Sequence, residues 1–109
     1  MTKRTDDLYL KDIADCIEKV RVYTKALTFK DFTRNELVVD AVIRNFEIIG
    51  EASKKISTKV KSLHKEIPWQ EMAGFRNKMI HEYFGVDLKI VWKTIKYSLP
   101  ELKKQFELF

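Results

Sequence analysis

Apolar residues in the first quarter of the chain recur every three or four positions. Leu10, Ile13, Ala14, Ile17, Val20 and Leu27 fall near i, i+3, i+4 and i+7. That is the stripe of an amphipathic helix over residues 6–27, not the alternation of a strand. Thr5 stands as its N-cap, and Asp6 and Asp7 suit the positive end of the helix dipole. Thr33 and Glu36 have capping-box spacing, with Phe32 and Leu37 at the staple positions, and predict the start of a second helix. Val38, Ala41, Val42, Asn45, Ile49, Ala52 and Ile56 carry its stripe to about Ser57. The short connection over residues 28–32 predicts an antiparallel hairpin.

The pattern then breaks. Lys59, Lys61, His64 and Lys65 crowd a stretch that reads as a linker, with His64 in an exposed loop. Pro68 suits the first position of the next helix. Gly74 interrupts, a segment over 75–83 follows, and Gly85 reads as a helix stop. Asp87 caps a last helix, with Val86 and Val91 at staple positions and Trp92, Ile95 and Leu99 on its apolar face. Pro100 kinks that helix or opens a separate turn, after which Leu102, Phe106 and Phe109 continue the face. Trp69 and Trp92 read as core; Phe106 and Phe109 pack on the bundle or on a partner subunit. The expected fold is all-α, an antiparallel bundle of four to five helices, with residues 1–109 in one domain.

Composition narrows the function classes. A chain of 109 residues buries only about two-thirds of its unfolded surface, so a dimer would cover what is left. No apolar run approaches the roughly 20 residues of a membrane span. The polar start lacks the apolar stretch of a secretion signal, so a soluble, cytoplasmic protein is expected. Cys16 is the one cysteine; it forms no intramolecular disulfide and, set among apolar positions, reads as a buried, inert thiol. A net charge of +5 favours an anionic partner, RNA or an acidic protein. Glycine-rich phosphate loops, zinc spacings and nucleophile elbows are missing. With two histidines and one cysteine, neither a metal site nor a cofactor is expected.

What remains is Arg76, His81 and Tyr83 within eight residues, beside a glycine break. An arginine clamps phosphate with a planar fork of donors and stabilises charge developing there. A histidine near neutral pKa can take a proton from a ribose 2′-hydroxyl or return one to a leaving 5′-oxygen. Asn77 can orient the scissile phosphate or hold His81 in one tautomer. On one regular helix Arg76 and His81 would stand about 140° apart. Either the helix distorts near His81, or two copies of the motif meet across a two-fold axis; the composite arrangement is preferred. A bland reading stands beside this one, with His81 capping a helix end and Tyr83 packing.

The stretch Arg76, Asn77, His81, Glu82, Tyr83 resembles the R-x4-H-x-Y signature of the HepT group of HEPN-domain proteins. Arg44 to Ala52 on the second helix, Ile67-Pro68-Trp69 before the motif and Val86, Asp87, Val91, Trp92, Leu99 and Pro100 after it fit the same pattern. The resemblance implies a helical bundle that dimerises and places two motifs in one cleft. It implies a metal-independent endoribonuclease toxin in which Arg76 and His81 hold the catalytic roles and Asn77 supports them. It also implies a minimal nucleotidyltransferase antitoxin that transfers AMP to Tyr83. A nucleotide there would bring phosphate charge beside Arg76 and fill the RNA groove.

Glu51, after Gly50, either orients Arg76 or His81 or is a surface carboxylate. Lys54, Lys55 and Lys59 are candidates for tracking an RNA backbone, although a solvated face is the commoner role for any one of them. Two other functions fit the same residues. One is a non-catalytic module that holds a nucleotide or substrate for a nucleotidyltransferase. The other is a helical adaptor whose basic surface holds an acidic partner.

Overall fold

Residues 4–81 and 85–109 are described in a computed structural model of the chain, His81 by its backbone alone. Helix α1 runs Asp6–Thr24 and buries Leu10, Ile13, Cys16, Ile17 and Val20. Thr5 is its N-cap residue without a side-chain bond, and Ala14 faces outward. A short helix α2, Phe29–Thr33, fills the connection to α3, Glu36–Lys55. The capping box sits five residues earlier than expected. Thr28 and Asp31 exchange the two bonds at the start of α2. Thr33 instead donates its hydroxyl to the Lys30 carbonyl, and Asn35 caps α3 by accepting from Val38 N–H at 3.1 Å. Asn35 wins because α2 uses up Thr33 as its last residue.

The expected antiparallel hairpin of α1 and α3 forms. Its ends are tied by Asp6, whose carboxylate accepts Ser57 N–H at 2.9 Å and Ser57 Oγ–H at 2.7 Å. The predicted linker is instead helix α4, Thr58–Leu63, capped by Ser57. His64 is not exposed either. Its ring lies 4.3 Å from that of Phe109, and Trp69 Nε1 donates to its carbonyl at 3.0 Å. Phe106, buried, completes this cluster 5.8 Å from Trp69. Both terminal phenylalanines thus reach the bundle.

Pro68 precedes α5, Trp69–Ala73, at the cap rather than inside it. Gly74 ends α5 and opens α6, Phe75–Met79. The two-residue strands β1, Ile80–His81, and β2, Gly85–Val86, pair antiparallel. Gly85 is therefore a hairpin residue rather than a helix stop; its φ of +72° is the left-handed conformation that favours glycine. Asp87 caps α7, Leu88–Lys93, as expected, accepting from Lys89 and Ile90 N–H. The rod then continues through a π-helical turn, Thr94–Ser98, into α8, Leu99–Phe106. Pro100 explains the turn: it has no N–H for the Lys96 carbonyl, and the Leu99 N–H reaches five residues back to Thr94.

The class is all-α. Phe32, Phe46, Phe75, Ile13, Ile17, Ile49 and Met72 are among the largest wholly buried side chains of the described residues. Cys16 is buried as expected, and that burial pushes its thiol up from its ordinary value. Among the described residues no helix is long and apolar enough to cross a membrane.

The Asp6–Ser57 tie has a pH signature. Hydrogen bonding from Ser57 holds the Asp6 carboxyl below its ordinary 3.8. A depressed folded value means stability that is present above the unfolded value and lost as pH falls through the folded one. Asp6→Ala should therefore lower Tm by a few degrees at neutral pH, with the gap to wild type narrowing below about pH 4. Thermal melts across that range check it; a gap independent of pH contradicts it.

Candidate functional site

The motif arginine owes its position to its neighbours in α6. Phe75 and Met79, one turn apart, are buried, and Phe75 meets Phe46 of α3 edge-on at 5.3 Å. Anchoring these two leaves Arg76, Asn77 and Lys78 exposed on the outer face. Lys78 pairs with Glu71 at 3.6 Å. The helix stops at Met79: Ile80 is extended (φ −113°, ψ 119°), and Asp87 N–H returns to the Met79 carbonyl at 2.8 Å.

That stop removes one premise. Helical spacing no longer relates Arg76 to His81, because the backbone leaves the helix before reaching His81. Of the two alternatives, the helix does end near His81, so the 140° separation gives no support to a composite site. The side chain of His81, and Tyr83 altogether, lie outside the described residues.

Arg76 reaches the rim of a groove of about 270 Å³ between α1 and α3. Arg44, Glu47, Glu51 and Lys55 of α3 line it, at spacings of three or four residues and so on one helix face. Tyr9 and Asp12 of α1 form the opposite wall. Arg4 spans that wall, with its guanidinium 5.0 Å above the Tyr9 ring and 2.9 Å from Asp12. The groove is therefore mixed in charge, with four cations among three carboxylates.

Several expected site residues meet here. Arg76, Glu51 and Lys55 line the groove. Lys54 stands at its edge, 3.4 Å from Glu51. Asn77 and Lys59 are exposed and do not line it. Glu51 is not the carboxylate that pairs with Arg76. Glu47, one turn earlier, is, with its Oε2 3.7 Å from Arg76 Nε and its side chain about one-third exposed. Glu47, Arg44, Arg4 and Tyr9 were missed as site residues. The signal available for the first two was their place on the same α3 face as Glu51. Nothing in the spacing ties Arg4 or Tyr9 to that face.

Among the described residues no three His, Cys, Asp or Glu side chains gather as a metal site would need. The groove offers guanidinium and ammonium donors for an anion, carboxylates that hold them, and one phenol ring.

Comparison with known proteins places the chain in a family. The family model for "Ribonuclease HepT-like" proteins matches residues 13–109. A protein of Thermococcus cleftensis named "Probable ribonuclease HepT" is 51% identical over 105 residues, 96% of each chain. A candidate RNase of Methanocaldococcus jannaschii is 43% identical over 98% of this chain and 88% of its own. Another, from Caldanaerobacter subterraneus, is 41% identical over 94% of this chain and 91% of its own. No solved structure matches. With a match that spans most of its length and relatives this similar end to end, the chain belongs to the HepT-like ribonuclease family.

Proposed function

We propose that this chain is a metal-independent endoribonuclease toxin in which Arg76 and His81 act on the scissile phosphate. The observation that carries the reading is the placement of Arg76. It stands exposed in the first turn of a short, anchored helix, over a groove whose other cations can hold flanking phosphates. In the proposed reaction His81 takes the proton of the ribose 2′-hydroxyl. That oxygen attacks phosphorus, the P–O5′ bond breaks, and the leaving oxygen is protonated. Arg76 stabilises the negative charge gathering on the phosphoryl oxygens.

The active unit proposed is a homodimer with both motifs in one cleft. The partner proposed is a minimal nucleotidyltransferase antitoxin, in the cytoplasm with its toxin. The Tyr83 oxygen would attack the α-phosphorus of ATP, giving O-AMP-tyrosine with pyrophosphate leaving and the phenolic proton lost. The added phosphate would neutralise Arg76 and exclude RNA. Membership of the HepT-like family supports this reading, and so does the net charge of +5.

The test is cleavage of single-stranded RNA by the purified chain in chelator. Cleavage should persist there and be lost after incubation with a nucleotidyltransferase and ATP that raises the intact mass by whole AMP units. Absence of cleavage by protein of unmodified mass overturns the ribonuclease assignment. Modification that spares cleavage overturns the switch.

A further inference from the structure

Among the described residues a second recess is larger than the Arg76 groove. It is a cleft of about 540 Å³ between α1 and the C-terminal rod. Ile17 of α1 and Ile95, Leu99 and Pro100 of the rod give it an apolar floor. The wall from the rod is the segment where the π-helical turn meets Pro100.

Its rim is strongly cationic. Arg21 of α1 and Lys25, the residue just past its end, stand one turn apart, and Lys96, Lys103 and Lys104 face them from the rod. Two carboxylates answer these five cations: Glu18 binds Arg21, and Glu107 binds Lys103 at 2.7 Å. Lys96 sits 4.5 Å above the Trp92 ring, which leaves its charge uncancelled. Five cations against two carboxylates leave an excess of three. This cleft is separate from the Arg76 groove. The α1 residues of that groove, Tyr9 and Asp12, lie toward the other end of α1 and roughly 130° round it.

We infer that this cleft is a docking groove for an acidic amphipathic helix of a partner protein. An apolar floor flanked by cations on both walls is the complement of a helix with leucine-like residues at i, i+3 or i+4 and i+7, and carboxylates on either side. A volume of this size takes a few such side chains. RNA fits less well, because no aromatic ring lines the cleft to stack a base, and its floor would stay uncovered by phosphates.

The test uses the full chain and a synthetic helical peptide of about 18 residues, with leucines at that spacing and flanking glutamates. Binding by calorimetry at low salt should be accompanied by shifts of the Ile17, Ile95 and Leu99 methyl resonances. The same peptide with lysine in place of glutamate should not bind. Lys25→Glu with Lys104→Glu, both exposed positions, should weaken binding about tenfold or more with Tm unchanged. Three results overturn the inference: equal binding by the charge-reversed variant, methyl shifts at Ile48 of the Arg76 groove in place of Ile17 and Leu99, or oligouridine occupying the cleft in preference to the acidic peptide.

Discussion

Arg76→Ala and His81→Ala should each reduce RNA cleavage by about 10²–10⁴-fold while leaving Tm within a degree or two of wild type. The stability half rests on the position of Arg76, which is exposed and joined to Glu47 only by an ion pair of 3.7 Å. Such a pair contributes little to folding. The activity half rests on the proposed proton transfer and phosphate clamp. A folded His81→Ala protein that still cleaves would end the assignment of His81. Mixing adds a test of the shared cleft. If both motifs serve one site, co-expression of the Arg76→Ala and His81→Ala chains should give heterodimers that keep one arginine and one histidine, and part of the activity should return. If each chain carries its own complete site, the mixture stays inactive. Glu47 grades the same experiment. As the carboxylate beside Arg76 Nε it is a positioning residue, so Glu47→Ala should cost several-fold in kcat and Glu47→Gln less.

The sequence made the helices legible wherever one face had to be buried. The stripes of Leu10 to Val20 and Val42 to Ile56 are core, and Asp87 is a cap. It failed where two local signals competed. Thr33 and Glu36 have the spacing of a capping box, but Thr28 and Asp31 satisfy the same rule five residues earlier, and a helix that starts there consumes Thr33. The lysine-rich stretch after Ser57 looked like a linker because α4 buries no residue fully, which leaves no apolar stripe to read. His64 became half-buried through Phe109, a contact spanning 45 positions that no local pattern carries. At the site, Arg76 and Glu51 could be picked out as chemistry. Their relation could not, because it depends on where α6 ends. Ile80, β-branched and extended, ends it two residues short of the motif histidine. Glu47 went unassigned for a related reason. On a helix rich in charged residues, only the packing of α6 decides which carboxylate meets Arg76.

That packing hinges on Gly50, and Gly50→Val should damage both stability and function. A Cβ built at Gly50 would stand 3.2 Å from the Met72 carbonyl oxygen and 3.4 Å from that of Ala73. Both are backbone atoms at the end of α5, so they yield only if α5 moves. Intrinsic helix propensity slightly favours valine over glycine, which means any loss comes from this contact. Alanine adds only the tight Cβ and gains about 1 kcal/mol of helix propensity, so Gly50→Ala should be close to neutral. Valine adds two methyl groups toward the same carbonyls, and overpacking of this kind costs about 1–3 kcal/mol. For a chain of this size that corresponds to a drop in Tm of roughly 5–20 °C. Function should fall further than the folded fraction does. Gly74 joins α5 directly to α6, so displacing α5 pulls Phe75 from Phe46 and carries Arg76 away from Glu47. Cleavage measured well below the lowered Tm separates the two effects. A Gly50→Val protein with wild-type Tm would show that α5 is free to shift. One with a lowered Tm but full activity would show that the register of α5 on α3 does not position Arg76.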